Sequence, residues 1–351
     1  MVIYYLNYWQ KMKKIIFSFL ILLLSNSIFA QSSEKPNVLI ITTGGTIASK
    51  TNAPLVEGNE LVQAVPELTN YANITVEEFV RIGSSKMTPS IWLALVKRIN
   101  NVLKESPDLK CIIITHGTDT MEETAFFLNL THLSNVPIVL VGSMRSSNEI
   151  SADGSANLLN AVRVGISPDA NGKGVMVAMN ENIIAARDLL KTQNRRVDAF
   201  PATEFGFMGA VDPEKVTFFR SPVKLHTLQS EFNVYDLDSF PQIDIVQDFV
   251  GIDKEILDFF LNRSNQGIVI SAFAGGRMSK TMNEVYQLPT THKPIVITSS
   301  IKAGRIMGTH KENTPIIIAN DLPANKARIL LMLALTKTNK LTEIQTMFET
   351  Y

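Results

Sequence analysis

The chain has 351 residues, 33 basic and 33 acidic, so its formal charge is zero. That balance points away from nucleic acid or an anionic membrane surface as a partner. A single cysteine, Cys111, excludes an internal disulfide, so stability must come from a core and from association between copies.

The first 30 residues read as an export leader. Lys13 and Lys14 follow Met12, Ile15–Leu24 is an apolar core, and Ala30 is a small residue before Gln31. The apolar core is shorter than the about 20 residues that a membrane span needs. Residues 1–11 read as an upstream extension. No cysteine follows the cleavage region, which argues against a lipid anchor. Removing residues 1–30 takes away Lys11, Lys13 and Lys14 and no acid, leaving 30 basic against 33 acidic residues, a net of −3. The remainder suffices for one large or two medium domains.

Gln31–Pro36 is a polar tether. Val38–Thr43 reads as a buried strand running into Thr43-Gly44-Gly45-Thr46-Ile47-Ala48. The paired glycines allow a sharp turn and leave the Thr46 hydroxyl at a strand end. Ser49–Glu57 is a polar flap, Glu60–Val65 a short helix stopped by Pro66, and Ile74–Ile82 a strand leading to Gly83-Ser84-Ser85. Thr88-Pro89 opens a helix to about Lys104, with Trp92, Leu95, Ile99 and Val102 on one face. Cys111–Ile114 is a second buried strand, ending in the polar knot Thr115–Thr120. An amphipathic helix follows, with Thr120 and Glu123 at capping-box spacing and Met121, Ala125, Phe127, Leu128 and Leu130 as its apolar face. Pro137–Val141 is a strand, Ala156–Val164 a helix, Gly174–Met179 with Ile183–Ala186 a β-hairpin, and Arg187–Arg196 a charged loop.

The pattern weakens from Phe205 to Asp238, and a boundary falls at Phe240-Pro241. Strands at Ile243–Val246, Gly267–Ser271 and Pro294–Thr298 then alternate with helices at Asp253–Leu261, Ser279–Gln287 and Asn325–Thr336. Such alternation predicts a parallel sheet covered on both faces. Open α/β folds place ligand chemistry where strands end in polar groups beside a helix N-terminus. Two strand-end threonines, Thr46 and Thr118, an adjacent acid, Asp119, and Lys191 in a polar loop are the candidates. The same residues also suit ordinary strand–helix turns. The five histidines have no metal-ligand spacing, His116 reads as structural, and no metal or other cofactor is expected.

Thr43–Ala48 together with His116-Gly117-Thr118-Asp119-Thr120-Met121-Glu122-Glu123-Thr124 resembles the two signature segments of the bacterial-type L-asparaginase/glutaminase family. The resemblance extends to Leu61–Pro66, Val141–Arg145, Ser151–Gly154, Ala178–Asn180 and Lys326-Ala327-Arg328, hence over nearly the whole chain after the leader. It implies an α/β fold of two domains. The larger is an N-terminal flavodoxin-like parallel sheet with helices on both faces, at 36–225. A linker at 226–240 leads to a smaller C-terminal α/β domain at 241–351. It further implies hydrolysis of L-asparagine to L-aspartate and ammonia, with glutaminase activity alongside.

By the same resemblance, Thr46 matches the nucleophile, while Thr118 and Lys191 work together in proton transfer. Asp119 pairs with the substrate α-ammonium, and Ser84 holds the α-carboxylate, with Ser85 next to it. Backbone N–H groups around Gly45 and Thr118 serve the oxyanion. The implied assembly is a homotetramer, a dimer of dimers with active sites between subunits, in the periplasm or secreted. Two other readings are a D-type subunit of glutamyl-tRNA amidotransferase and an amino-acid-binding protein that keeps the pocket without turnover. The leader and the lack of an obvious added domain argue against the first.

Four departures from the family pattern bear on affinity and specificity. The flap is short and contains no tyrosine; after the leader the tyrosines are Tyr71, Tyr235, Tyr286 and Tyr351, none near Thr46 in sequence. Lys191 with Thr118 would then carry more of the proton traffic, or Ser49 or Thr51 would substitute. Ser85 stands where the family often has glutamine. Ala274-Gly275-Gly276-Arg277 replaces a Gly-Asn-Gly segment that supplies an asparagine to a neighbouring site. The glutamate contributed across subunits has an approximate counterpart in Glu312.

Overall fold

Two successive runs of strands and helices build two sheets in the computed structural model, which describes residues 9, 12, 34–48, 57–308 and 313–351. Most of the leader, the flap residues Ser49 and Thr51, and Glu312 lie outside the described residues.

The first sheet contains β1 (Asn37–Gly44), β2 (Asn73–Ile82), β3 (Leu109–Thr115), β4 (Ile138–Val141), β5 (Val175–Met179), β6 (Asn182–Ala185), β7 (Gly209–Val211) and β8 (Val216–Phe218). Their spatial order is 2-1-3-4-5-6-7-8. The five strands from β2 to β5 pair in parallel. The sheet is not parallel throughout, because β5 to β8 pair antiparallel. The connection from β5 to β6 is a tight turn at Asn180 and Glu181, both with positive φ. A connection that short can only return the chain antiparallel, since a parallel neighbour requires a long crossover. Strands β7 and β8 have three residues each, too few to show a periodicity in the sequence.

The helices flanking this sheet are α1 (Gly58–Gln63), α2 (Leu68–Tyr71), α3 (Pro89–Glu105), α4 (Met121–Thr131) and α5 (Gly154–Ile166). Alternate strand residues face opposite layers. Leu39, Ile41, Ile112 and Ile114 join Trp92, Leu95 and Ile99 of α3 and Phe126 and Phe127 of α4. Val38, Ile40, Cys111 and Ile113 join Leu61 of α1 and Leu158 and Val162 of α5 on the other face.

The second sheet is β9 (Ile243–Gln247), β10 (Gly267–Ala272), β11 (Ile295–Ser299) and β12 (Ile316–Ile318), parallel and in the order 12-11-10-9. With it go α6 (Lys254–Asn262), α7 (Ala324–Ala334) and α8 (Leu341–Thr350). Strand β12 and helix α8 were not anticipated, and the expected helix at 279–287 is a 3-10 turn over Met282–Gln287. Helix α7 is buried almost throughout, with Leu330, Leu331, Met332 and Leu333 in the same apolar layer as α4 and as Val269 and Val296 of the second sheet. This shared layer explains why Pro36–Tyr351 forms one compact unit.

The same layer corrects the reading of α4 as amphipathic. Every residue from Met121 to Thr131 except Glu123 is buried, because α7 covers the side that would otherwise face water. Helix α4 ends at His132, which is buried and donates from Nε2 to Val136 O at 2.9 Å, leaving Nδ1 without a partner. Burial pushes its pKa down to about 4 from 6.5. Between those values the unfolded chain takes up a proton that the folded chain refuses. The contribution is therefore full above pH 6.5 and is lost as pH falls toward 4, at most about 3 kcal/mol for this group. The urea midpoint should fall between about pH 7 and about pH 4.5, and His132→Gln should remove part of that fall. An identical acid slope in the variant would show that His132 does not supply it.

Candidate active site

In a sheet ordered 2-1-3-4-5, connections leave β1 and β3 toward opposite faces, and the crevice outside their carboxyl ends is the expected ligand site. Thr46 lies there, half-buried, opening the 3-10 turn Thr46–Ala48 directly after β1. Gly44 and Gly45 have φ of 99° and 87°, in the left-handed region. A Cβ on Gly45 would lie 2.4 Å from the backbone N and Cα of Gly117, and one on Gly117 would lie 2.6 Å from Ser84 Oγ. Three loops, at the ends of β1, β3 and β2, therefore interlock only because those two positions carry no side chain. The Gly45 N–H donates to Ile82 O at 3.1 Å, so that donor is already engaged and is not the one offered to an oxyanion.

Thr118 and Asp119 follow β3, and Lys191 reaches them from the loop after β6. The Lys191 ammonium donates to Thr118 Oγ1 at 2.9 Å and to Asp119 Oδ1 at 2.7 Å. Thr118 is buried, whereas the Asp119 side chain is 67% exposed and faces outward. Gly142, after β4, backs Thr118: a Cβ there would stand 3.2 Å from Thr118 Cγ2. Ser84 is buried beside Gly117, and Ser85 is exposed on the same turn. The capping box is not formed. Thr120 Oγ1 donates to Ser84 O at 2.9 Å, so its hydroxyl holds the Ser84 turn and makes no side-chain cap on α4.

His116 is fully buried and fixes this corner. Trp92 Nε1 donates to Thr124 Oγ1 at 2.9 Å, that hydroxyl lies 2.9 Å from His116 Nε2, and His116 Nδ1 lies 2.7 Å from Gly117 O. The chain closes if Thr124 donates to Nε2 and Nδ1–H donates to the carbonyl, the neutral tautomer. Burial, which pushes the His116 pKa down to about 4, agrees with that assignment.

Asp153 and Asn180, both in segments that carry the family resemblance, are structural supports, joined by Asn157 of α5. Asp153 accepts from Met144 N and Arg145 N at 3.0 Å each, and Asn157 donates to Gly142 O at 3.0 Å while accepting from Asn180 N at 2.9 Å. Glu122, Asn325 and Lys326 stand behind Lys191, and no role was read for them from the sequence. A lysine in the first turn of a helix that continues as the apolar run Ile329–Ala334 was the available signal for Lys326. Tyr71 lies just before β2, at the opposite end of the strands from Thr46. Ala274–Gly276 forms a 3-10 turn after β10, where Arg277 Nε donates to Ala274 O at 3.3 Å. A cleft lined by Arg187, Thr192, Phe205, Lys302, Gly304 and Lys326 lies beside the Lys191 loop and does not include Thr46, Thr118 or Asp119.

A doubly wound α/β chain with its polar residues gathered at the switch point is the class this geometry defines. Residues 37–224 match the family model described as asparaginase, N-terminal, and residues 242–348 match the glutaminase/asparaginase C-terminal domain. The chain is 40% identical over 337 residues to L-asparaginase 2 of Bacillus subtilis, covering 92% of this chain and 89% of that one. It is 39% identical to a probable periplasmic L-asparaginase of Haemophilus influenzae, covering 92% and 95%. The crystal structure of a probable cytoplasmic L-asparaginase from Campylobacter jejuni superposes with a TM-score of 0.86 at 39% identity, covering 90% of this chain and all of that one. The chain belongs to the asparaginase family.

Proposed function

We propose that this protein hydrolyses L-asparagine to L-aspartate and ammonia, with L-glutamine as a second substrate. The observation that carries the reading is the Lys191 ammonium held between Thr118 Oγ1 and Asp119 Oδ1 at the switch point, with Gly45, the residue before Thr46, against Gly117 of the same loop. Thr46 Oγ attacks the carboxamide carbon; its proton passes to Thr118 Oγ1 as the Thr118 hydroxyl proton moves to Lys191 Nζ, which enters this step as the neutral amine after giving its own proton to solvent. The C–N bond breaks, and the amide nitrogen leaves as ammonia after taking up that proton. Water then cleaves the threonyl ester and restores Thr46. Asp119 faces the α-ammonium and Ser84 the α-carboxylate, with Ser85 beside it. A site that requires both charged groups selects an amino-acid amide over a simple amide.

The domain limits we propose are 36–225, 226–240 and 241–351, following an export leader that delivers the mature chain to the periplasm or the exterior. A homotetramer built from dimers is supported by large exposed apolar side chains such as Val223, Phe219, Val250 and Phe259. Light scattering of the mature chain tests that assembly, and a monomer would refute it.

The deciding assay is ammonia release by the mature protein from L-asparagine and L-glutamine across a wide concentration range. Turnover is the expected result. Thermal stabilisation by aspartate with no ammonia from either amide would overturn the hydrolase reading in favour of a binding protein.

A further inference from the structure

Helix α7 carries a charge where a helix core should not have one. Lys326 lies in its first turn and is completely buried. A cation is disfavoured both by burial and by the positive end of a helix dipole. The Lys326 ammonium lies 5.9 Å from the Phe126 ring of α4, and both of its hydrogen bonds lead to the Lys191 loop. Lys326 Nζ donates to Arg187 O at 2.6 Å and to Leu189 O at 2.7 Å. Burial lowers its pKa to about 8, with Glu122 and Asp188 pulling it upward.

Beside it, Glu122 is a buried carboxylate with both oxygens engaged. Oε1 accepts from Asn325 Nδ2 at 2.6 Å, and Oε2 accepts from the Lys191 backbone N–H at 3.0 Å. Arg187 closes the far end of the loop: its guanidinium donates to both carboxylate oxygens of Asp321, at 2.7 and 2.9 Å, and to Tyr351 O at 3.1 and 3.2 Å. Residues 187, 189 and 191 are thus each tied to α4, to α7 or to the end of the chain.

We propose that Glu122, oriented by Asn325, is the positioning residue for Lys191, and that Glu122 with Lys326 makes α7 of the C-terminal region the clamp of the catalytic loop. Glu122 touches no reacting atom. It lies three residues after Asp119, so the turn that presents the Asp119 carboxylate runs directly into the helix that fixes the backbone of the lysine paired with it. Lys191 has a long flexible side chain, and only its backbone anchor determines whether Nζ reaches Thr118 and Asp119 together. A displacement of about 1 Å at such a group costs on the order of 100-fold in rate. Arg328, two residues beyond Lys326, approaches Glu123 at 3.8 Å, a second and more exposed tie between the same helices.

This inference rests on the proposed role of Lys191, so the test carries Lys191→Met in the same panel as Glu122→Ala, Glu122→Gln and Asn325→Ala. The readouts are kcat and KM for ammonia release from L-asparagine, with the thermal midpoint of each variant. In Glu122→Ala we expect kcat to fall by about 10–100-fold with KM changed by no more than about 3-fold. Glu122→Gln should recover to within about 3-fold of the parent. Its carbonyl can still accept the Lys191 N–H, so the loop anchor survives, while the Asn325 amide, whose Oδ1 already accepts from the Lys326 N–H at 2.9 Å, loses only its own donation to Glu122. If Glu122→Ala does not fold, Asn325→Ala gives the same split, with kcat lowered by roughly 3–10-fold. A parental kcat in Glu122→Ala would overturn the proposal. So would equal impairment in the Gln variant, or, where the Ala variant is unfolded, a parental kcat in Asn325→Ala. Parental activity in Lys191→Met would instead remove Lys191 from the reaction and leave the function reading, not the clamp, at fault.

Discussion

Thr46→Ala should lower kcat by roughly 10⁴-fold or more while leaving the protein folded and able to bind aspartate. Without a hydroxyl at this position no ester can form, and the remaining groups can only polarise the amide. The structural cost is small. Thr46 is half-buried and opens a three-residue turn, so loss of its Oγ should reduce stability by about 1 kcal/mol. Thr46→Ser should retain measurable turnover, because the hydroxyl remains and only the methyl that restricts its rotamer is lost. The measurement pairs steady-state ammonia release with the thermal shift produced by aspartate. A variant that still binds aspartate and keeps kcat within tenfold of the parent would show that the nucleophile is another residue.

Thr118→Val is the second large expectation. Valine fills the buried volume, but the Lys191 ammonium loses one of its two side-chain acceptors and keeps only Asp119. The proton path from Thr46 is then broken at its middle group. We expect kcat to fall by about 10²–10⁴-fold, with KM for L-asparagine raised much less, since Asp119 and Ser84 still meet the substrate. The folded state should lose about 1–2 kcal/mol, the worth of a hydrogen bond to a charged group whose other partner survives. Thr118→Ser should behave nearly as the parent. If Thr118→Val retains more than a tenth of parental kcat, the hydroxyl carries no proton. The contrast with Glu122→Gln is useful: that change keeps the acceptor and should be mild, whereas Thr118→Val removes one at the point of chemistry and should not be.

The sequence by itself determined the parts whose physics is local. Runs such as Val38–Ile41 and Cys111–Ile114 are long enough and apolar enough to announce buried strands, and each of β1 to β6 and β9 to β11 lies within a residue or two of where alternation placed it. Gly44-Gly45 announced a turn because only glycine adopts that φ without cost, and the turn is there. Family membership was legible for the same reason: the glycines and hydroxyls at the strand ends are neighbours along the chain.

Only the tertiary structure decided what depends on residues far apart. Three-residue strands β7 and β8 owe their existence to the edge they extend, so their own sequence carries no period. Helix α4 was misread as amphipathic because α7, some 200 residues later, removes its outer face from water. Thr120 and Glu123 have the spacing of a cap, yet the Thr120 hydroxyl is claimed by Ser84 O, 36 residues away. Lys191 meets Thr118 across 73 residues, and Glu122 meets Asn325 across 203. Local propensity can state which side chains are able to bond, but the partner of a buried polar group is chosen by whichever group the packing of the whole chain brings within about 3 Å.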